Sequence, residues 1–125
     1  MTEDEISYKI RGAIFKGYNN LGLGLLESVY VLALRYELLK ENLLVKTEVA
    51  FPVYYEDEIL DTGYRLDVLV ENKVIIEVKS VETLTKVHHK QILTYLKLTE
   101  MKLGILVNFN VANVTEGIFR KVNSL

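Results

Sequence analysis

The chain has 125 residues, half of them hydrophobic and 26% charged, which predicts one globular domain over 1–125 and excludes a disordered or collagen-like chain. It has no cysteine, which excludes a disulfide scaffold, a thiolate zinc site, an iron–sulfur cluster and a cysteine nucleophile, and two adjacent histidines leave little for a zinc enzyme. The net charge of −2 gives nucleic-acid binding no support in bulk and leaves that task to a local basic patch.

The opening Met1-Thr2-Glu3-Asp4-Glu5 is the opposite of a basic signal-peptide start. No apolar run approaches the roughly 18 residues a membrane span needs. The expectation is a cytoplasmic chain with no membrane partner. Thr2 and Glu5 have capping-box spacing, and Ile6, Ile10, Ile14 and Tyr18 follow at every fourth position, predicting an amphipathic helix that stops near Asn19-Asn20. Leu21-Gly22-Leu23-Gly24 breaks the chain, and a second helix runs from about Leu25 to Glu41.

From Leu44 the period changes to two. Val45, Thr47, Val49, Phe51 and Val53 alternate with mostly polar neighbours, giving a strand whose Pro52 favours an edge or a bulge. Glu56-Asp57-Glu58 is the turn, Tyr64–Val70 a second strand and Val74–Lys79 a third. Helical spacing returns from about Lys86 to Thr99, followed by a short buried strand, Leu103–Val107. The tail from Thr115 fits a short helix or a strand equally. The three consecutive strands form an antiparallel meander, and the last helix crosses over to bring the final strand alongside. The architecture is α/β: a mixed sheet flanked by helices, with an extra helix at the N-terminus.

Parity picks out the candidate site. Tyr64, Leu66, Val68 and Val70, then Val74, Ile76 and Val78, are the even positions of the second and third strands and form one core face. The odd positions include Arg65, Asp67, Glu77 and Lys79. A three-residue loop, Glu71-Asn72-Lys73, keeps even opposite even, and it sets Asp67 across from Glu77 with Lys79 two residues along. Facing carboxylates repel, and a hard divalent cation would compensate them. The alternative is a solvent-exposed face on which Lys79 and Arg65 neutralise the acids as surface pairs.

Glu27 falls in the middle of the second helix's apolar arc, among Tyr30, Val31, Leu34 and Leu38. A carboxylate there is either partly buried with a partner or aimed into a cleft; the alternative is simple macrodipole stabilisation near the helix start. On the later helix Gln91 and Tyr95 are one turn apart. Lys86, Lys90 and Lys97 add positive charge, or only a solvated face. His88 and His89 point about 100° apart and do not chelate one metal together. Glu-x-Lys occurs three times, and only Glu77-Val78-Lys79 sits in a strand with an acid ten residues upstream on the strand before.

Gly24-Leu25-Leu26-Glu27-Ser28-Val29-Tyr30 matches Gly-x-x-Glu-x-x-Tyr, so the chain resembles the GxxExxY protein family. Asp67, Glu77-Val78-Lys79, Gln91 and Tyr95 resemble the motif set of the PD-(D/E)XK nucleases, and the α-β-β-β-α-β order from Leu25 to Val107 is similar to that superfamily's restriction-endonuclease-like core. Leu66 stands where the superfamily's name has proline. The resemblance implies that Asp67 and Glu77 bind Mg2+ (Mn2+ as substitute), with the Val78 carbonyl as a third ligand. Glu27 would complete the acidic cluster directly or through water. It further implies that Lys79 positions the attacking water and offsets charge on the phosphate, that Gln91 orients substrate or a metal-bound water, and that Tyr95 shapes the site; Lys90 on the same helix is a candidate for substrate binding by its charge. Tyr30 would hold its helix against the sheet. The expected function is metal-dependent cleavage of nucleic acid, DNA before RNA, with a homodimer or a protein partner supplying further surface. The alternative is a nuclease-fold domain that binds nucleic acid or protein without catalysis.

Overall fold

The computed structural model describes residues 1–61 and 63–125. Helix α1 (Glu3–Leu21) starts at the Thr2/Glu5 capping box, in which each side chain meets the other residue's backbone N–H. Ile6, Ile10, Ala13 and Ile14 form its buried stripe. Helix α2 (Glu27–Lys40) buries Tyr30, Val31, Leu34 and Leu38. Strand β1 (Val45–Ala50) ends before Pro52, which has no N–H to offer a ladder. The chain then makes a separate small hairpin of β2 (Val53–Tyr55) and β3 (Glu58–Leu60). Strands β4 (Arg65–Val70) and β5 (Val74–Lys79), helix α3 (Lys86–Thr99), β6 (Leu103–Asn108), a 3-10 turn (Val114–Gly117) and β7 (Ile118–Val122) complete it.

The main sheet runs β1-β4-β5-β6-β7. Its one parallel pair is β5–β6, the strands joined by the α3 crossover; the other neighbours are antiparallel. The tail therefore contains both structures its sequence allowed, a helical turn and then an edge strand.

Both faces of the sheet are covered. Helices α1 and α2 pack on Val68, Val70, Val74, Ile76 and Val78 together with Leu103, Ile105 and Val107. On the other face Tyr95 and Leu96 of α3 pack on Leu69 and Ile75. Two expected members of the even-numbered face change sides: Leu66 packs in the α3 cluster, and Tyr64 stacks on Phe51 and lies tilted against Tyr95. The cause lies in the neighbouring strand. Glu48 of β1 takes a left-handed φ of 52°, and the β1–β4 pairing steps from Thr47–Val68 to Val49–Leu66 over it. The register is the same on both sides, so no residue is inserted; the ladder lacks only the Glu48–Asp67 pair, and the residues beyond this break, Val49 and Leu66, face the other layer.

Candidate active site

The β4–β5 loop keeps the inferred register, with Val70 paired to Val74 and Val68 to Ile76. Glu71 and Asn72 carry the left-handed φ values of 54° and 53° that the turn needs. One step further along, the ladder gives way to side chains. Asp67 Oδ2 accepts the Val78 N–H at 2.8 Å, and Glu77 Oε1 accepts the Asp67 N–H at 3.4 Å. Each carboxylate satisfies a backbone donor of the opposite strand, and this locks the two acids side by side.

Their surroundings differ. Asp67 is half-buried, whereas Glu77 is only 3% exposed. Burial, reinforced by the Asp67 charge and a hydrogen bond with Asp67, pushes the Glu77 carboxyl up to about 9, and the Lys79 charge works in the opposite direction. The picture of a solvated face with neutralising surface pairs does not describe this site. Arg65 donates to the Tyr64 carbonyl, and among the described residues neither Arg65 nor Lys79 forms an ion pair with the acids.

From α3, Tyr95 closes the far side. Its hydroxyl is pushed up first by burial and then by the charges of Glu77, Tyr64 and Asp67, against which a hydrogen bond with the Gln91 side chain acts. Asp67, Glu77, Gln91 and Tyr95 thus form one electrostatic group, with the Phe51 ring edge-on to Tyr95 and the Tyr64 ring tilted against it. Lys90 is exposed on α3, and among the described residues it forms no ion pair with the acids. His88 accepts the Thr85 N–H at the start of α3 and His89 packs edge-on against Phe119, which accounts for both histidines structurally.

Glu27 sits apart from the pair. It is exposed at the first residue of α2, not enclosed by the apolar arc. That arc does point toward the sheet, but Glu27 lies one turn before Tyr30 and Val31, past the covered stretch, so its side chain leads to the end of β5. There Oε2 accepts the Ser80 N–H at 3.4 Å. Among the described residues no group of three or more acidic or histidine side chains stands close enough to hold a metal.

Three supporting residues escape a reading based on periodicity. Ser80 Oγ donates to the Leu25 carbonyl at 2.6 Å, joining the end of β5 to the loop before α2. Tyr30 is fully buried, stacks on Phe109 with ring centroids 4.2 Å apart, donates to the Gly22 carbonyl and accepts the Leu25 N–H. With Gly24 at a φ of 91°, this explains physically why a glycine and a tyrosine flank Glu27: one permits the turn and the other pins it. Asn108, also buried, accepts the Val81 N–H and donates to the Val81 carbonyl, clamping the segment that follows Lys79. A polar residue closing the apolar run Leu103–Val107 was its only signal.

A family model for the PD-(D/E)XK nuclease superfamily matches residues 4–121. The chain belongs to the PD-(D/E)XK nuclease superfamily. No curated protein and no solved structure matches it. The order of a mixed five-stranded sheet between helices, with a helix leading, is that of a restriction-endonuclease-like fold. No helix among the described residues is long and apolar enough to cross a membrane.

Proposed function

We propose that this chain is a metal-dependent phosphodiesterase of the GxxExxY type that cleaves nucleic acid, DNA before RNA. One observation carries the reading: two carboxylates are held side by side where β4 and β5 part, with a lysine two residues on that forms no ion pair among the described residues. A structural role does not account for this, because facing acids in a buried strand pair cost stability unless something offsets them.

The donor set suits magnesium or manganese. Asp67 and Glu77 supply hard oxygens and the Val78 carbonyl is a third candidate. Magnesium keeps several waters and needs only one or two carboxylates, so the lack of a third close acid is no obstacle. Glu27 would join through water from across Ser80. When bound, the cation would clamp a phosphoryl oxygen and strengthen water as a nucleophile. Lys79 orients that water and offsets charge developing on the phosphate, Gln91 orients the substrate, Tyr95 walls the site, and Lys90 meets the backbone of the incoming strand.

The test is cleavage of end-labelled single- and double-stranded DNA and RNA with Mn2+, against EDTA, by wild type and by Asp67→Ala and Glu77→Ala. Cleavage that needs Mn2+ and disappears in both variants, with the fold retained by circular dichroism, supports the proposal. Equal cleavage by all three proteins refutes it. Binding without cleavage by the wild type would instead establish a silent nuclease-fold binding domain.

A further inference from the structure

Helix α1 carries a glycine that its packing does not require. Gly12 lies within the helix on its exposed side, and a methyl group added there would meet no atom within 4 Å. Glycine inside a helix destabilises it relative to alanine, and here no neighbour needs the space. What the missing side chain leaves open is the floor of a groove of about 390 Å³, a volume within the range of ligand-binding pockets.

At about 100° per residue, the side chains of the groove follow one another around α1 as Arg11, Phe15, Tyr8, Gly12, Lys16 and Lys9, opposite the buried Ile6, Ile10, Ala13 and Ile14. Two rings and the glycine make a central strip, with a guanidinium on one side and two ammonium groups on the other. Tyr8 is 81% exposed, whereas Phe15 is half-buried against the core and carries the Arg11 guanidinium 5.1 Å from its ring centroid. Glu41, just past α2, lies at the edge of the groove and pairs with Lys9 at 3.4 Å; among the described residues Arg11 and Lys16 form no ion pair. A chain of net charge −2 thus gathers three cations against one acid around two aromatic rings.

That lining selects its occupant. Cations on both flanks require an anion, and flat rings between them require flat apolar groups carried on the same molecule. Single-stranded nucleic acid has both, phosphates along its backbone and unpaired base faces. A duplex keeps its base faces in the stack, and an acidic peptide brings nothing to stack. We propose that this groove binds single-stranded nucleic acid, with bases on Tyr8 and Phe15 and phosphates at Arg11, Lys16 and Lys9. It is separate from the acid pair: α1 covers the sheet face opposite α3, and Glu41 lies roughly 20 Å along α2 from Glu27. The inference gives the ligand class proposed above a second surface, and it needs no catalysis.

The test is fluorescence anisotropy of a labelled oligothymidylate of about ten nucleotides, titrated in EDTA. The logarithm of affinity should fall against that of salt concentration with a slope of about −2, as three single-strand phosphate contacts require. Tyr8→Ala should weaken binding about 10-fold by removing one stacking ring. Gly12→Leu should fill the groove and weaken binding at least as much, while its melting temperature rises by about 2–4 °C. Lost binding joined to gained stability is not what a structural role produces, and the exposed Tyr8 keeps the test open if Gly12→Leu fails to fold. Absence of binding by the wild type, or affinity unchanged in folded Tyr8→Ala and Gly12→Leu, overturns the proposal. Tighter binding of the duplex form, or of polyglutamate, through these residues overturns it equally and names the other occupant. Groove-dependent binding without any cleavage in Mn2+ leaves this proposal standing and removes the nuclease reading, whereas Mn2+-dependent cleavage with binding indifferent to both variants does the reverse.

Discussion

Replacing Glu77 by glutamine should stabilise the metal-free protein at neutral pH, although it removes a residue placed at the centre of the site. An ordinary glutamate has a value of 4.5, while burial, the Asp67 charge and a hydrogen bond with Asp67 raise folded Glu77 to about 9. The folded chain therefore holds a proton that the unfolded chain releases. A raised value of this kind contributes stability that is complete below about pH 4.5 and is lost as pH rises toward 9. At pH 7.5 about three pH units separate the solution from the unfolded value, and at about 1.4 kcal/mol per unit the loss has a ceiling of about 4 kcal/mol. Relaxation of the site and water reaching Asp67 reduce this to about 2 kcal/mol.

Glutamine does not ionise in the unfolded state and so escapes the loss. Its carbonyl can accept the Asp67 N–H, as Glu77 Oε1 does now at 3.4 Å, and its amide can donate to the Asp67 carboxylate as the protonated acid would. Urea unfolding in EDTA at pH 5.0 and pH 8.0 is the assay. Glu77→Gln should exceed the wild type by about 2 kcal/mol at the higher pH and by under about 1 kcal/mol at the lower. Adding Mn2+ should raise the wild type's midpoint and leave the variant's in place. A variant less stable than the wild type at pH 8.0, or an advantage that does not change with pH, would refute the reasoning.

Tyr30→Phe keeps the ring stack on Phe109 and removes the bonds to Gly22 and Leu25, so it should cost about 1–2 kcal/mol in urea unfolding and lower cleavage by loosening the loop that carries Glu27. Asn108→Leu leaves both backbone groups of Val81 without their present partner, which should cost about 2–4 kcal/mol and raise amide exchange at Val81 above that in β5. Gly117→Ala should be among the most damaging small substitutions, about 2–4 kcal/mol by thermal denaturation, because the added methyl would lie 2.3 Å from the Asn108 carbonyl oxygen, where backbone rather than a flexible side chain must give way. Lys90→Ala should leave stability unchanged, since the side chain is exposed, while lowering affinity for nucleic acid and flattening its salt dependence by about one phosphate contact.

The elements most legible in the sequence are those whose own period decides them. Helix α1 announces itself through the Thr2/Glu5 box and the Ile6, Ile10, Ile14 repeat, and β5 through Val74-Ile75-Ile76 with a loop of fixed length before it. The β2–β3 hairpin escapes because its strands are three residues each, too short for a period to register, and the turn at Glu56-Asp57 serves a long strand pair equally well. Tyr64 and Leu66 mislead for a different reason. Alternation is a local rule, and the residue that interrupts it is Glu48 on the adjacent strand, where nothing in the β4 sequence records it.

The same distinction separates the acids of the site from the groups that hold them. Asp67 and Glu77 stand out because charge on a buried strand contradicts its neighbours, and a contradiction is visible in one dimension. Ser80, Tyr30 and Asn108 contradict nothing; each is an ordinary residue whose partner is a backbone carbonyl or N–H of a loop. Backbone partners have no residue type, so although spacing singles out Tyr30 and the end of an apolar run marks Asn108, neither says which backbone group the side chain meets. Their placement follows from the acids all the same. A carboxylate pair raised in energy by its own burial stays together only if the strand ends are held from outside, and Ser80 and Asn108 fasten the chain beyond Lys79 on two sides while Tyr30 fixes the loop that Ser80 grips. The hydrogen bonds of Ser80 and Asn108 hold the strand end in place without removing the cost of the acid pair, and loosening either should let β4 and β5 part further before it disturbs the core under α1.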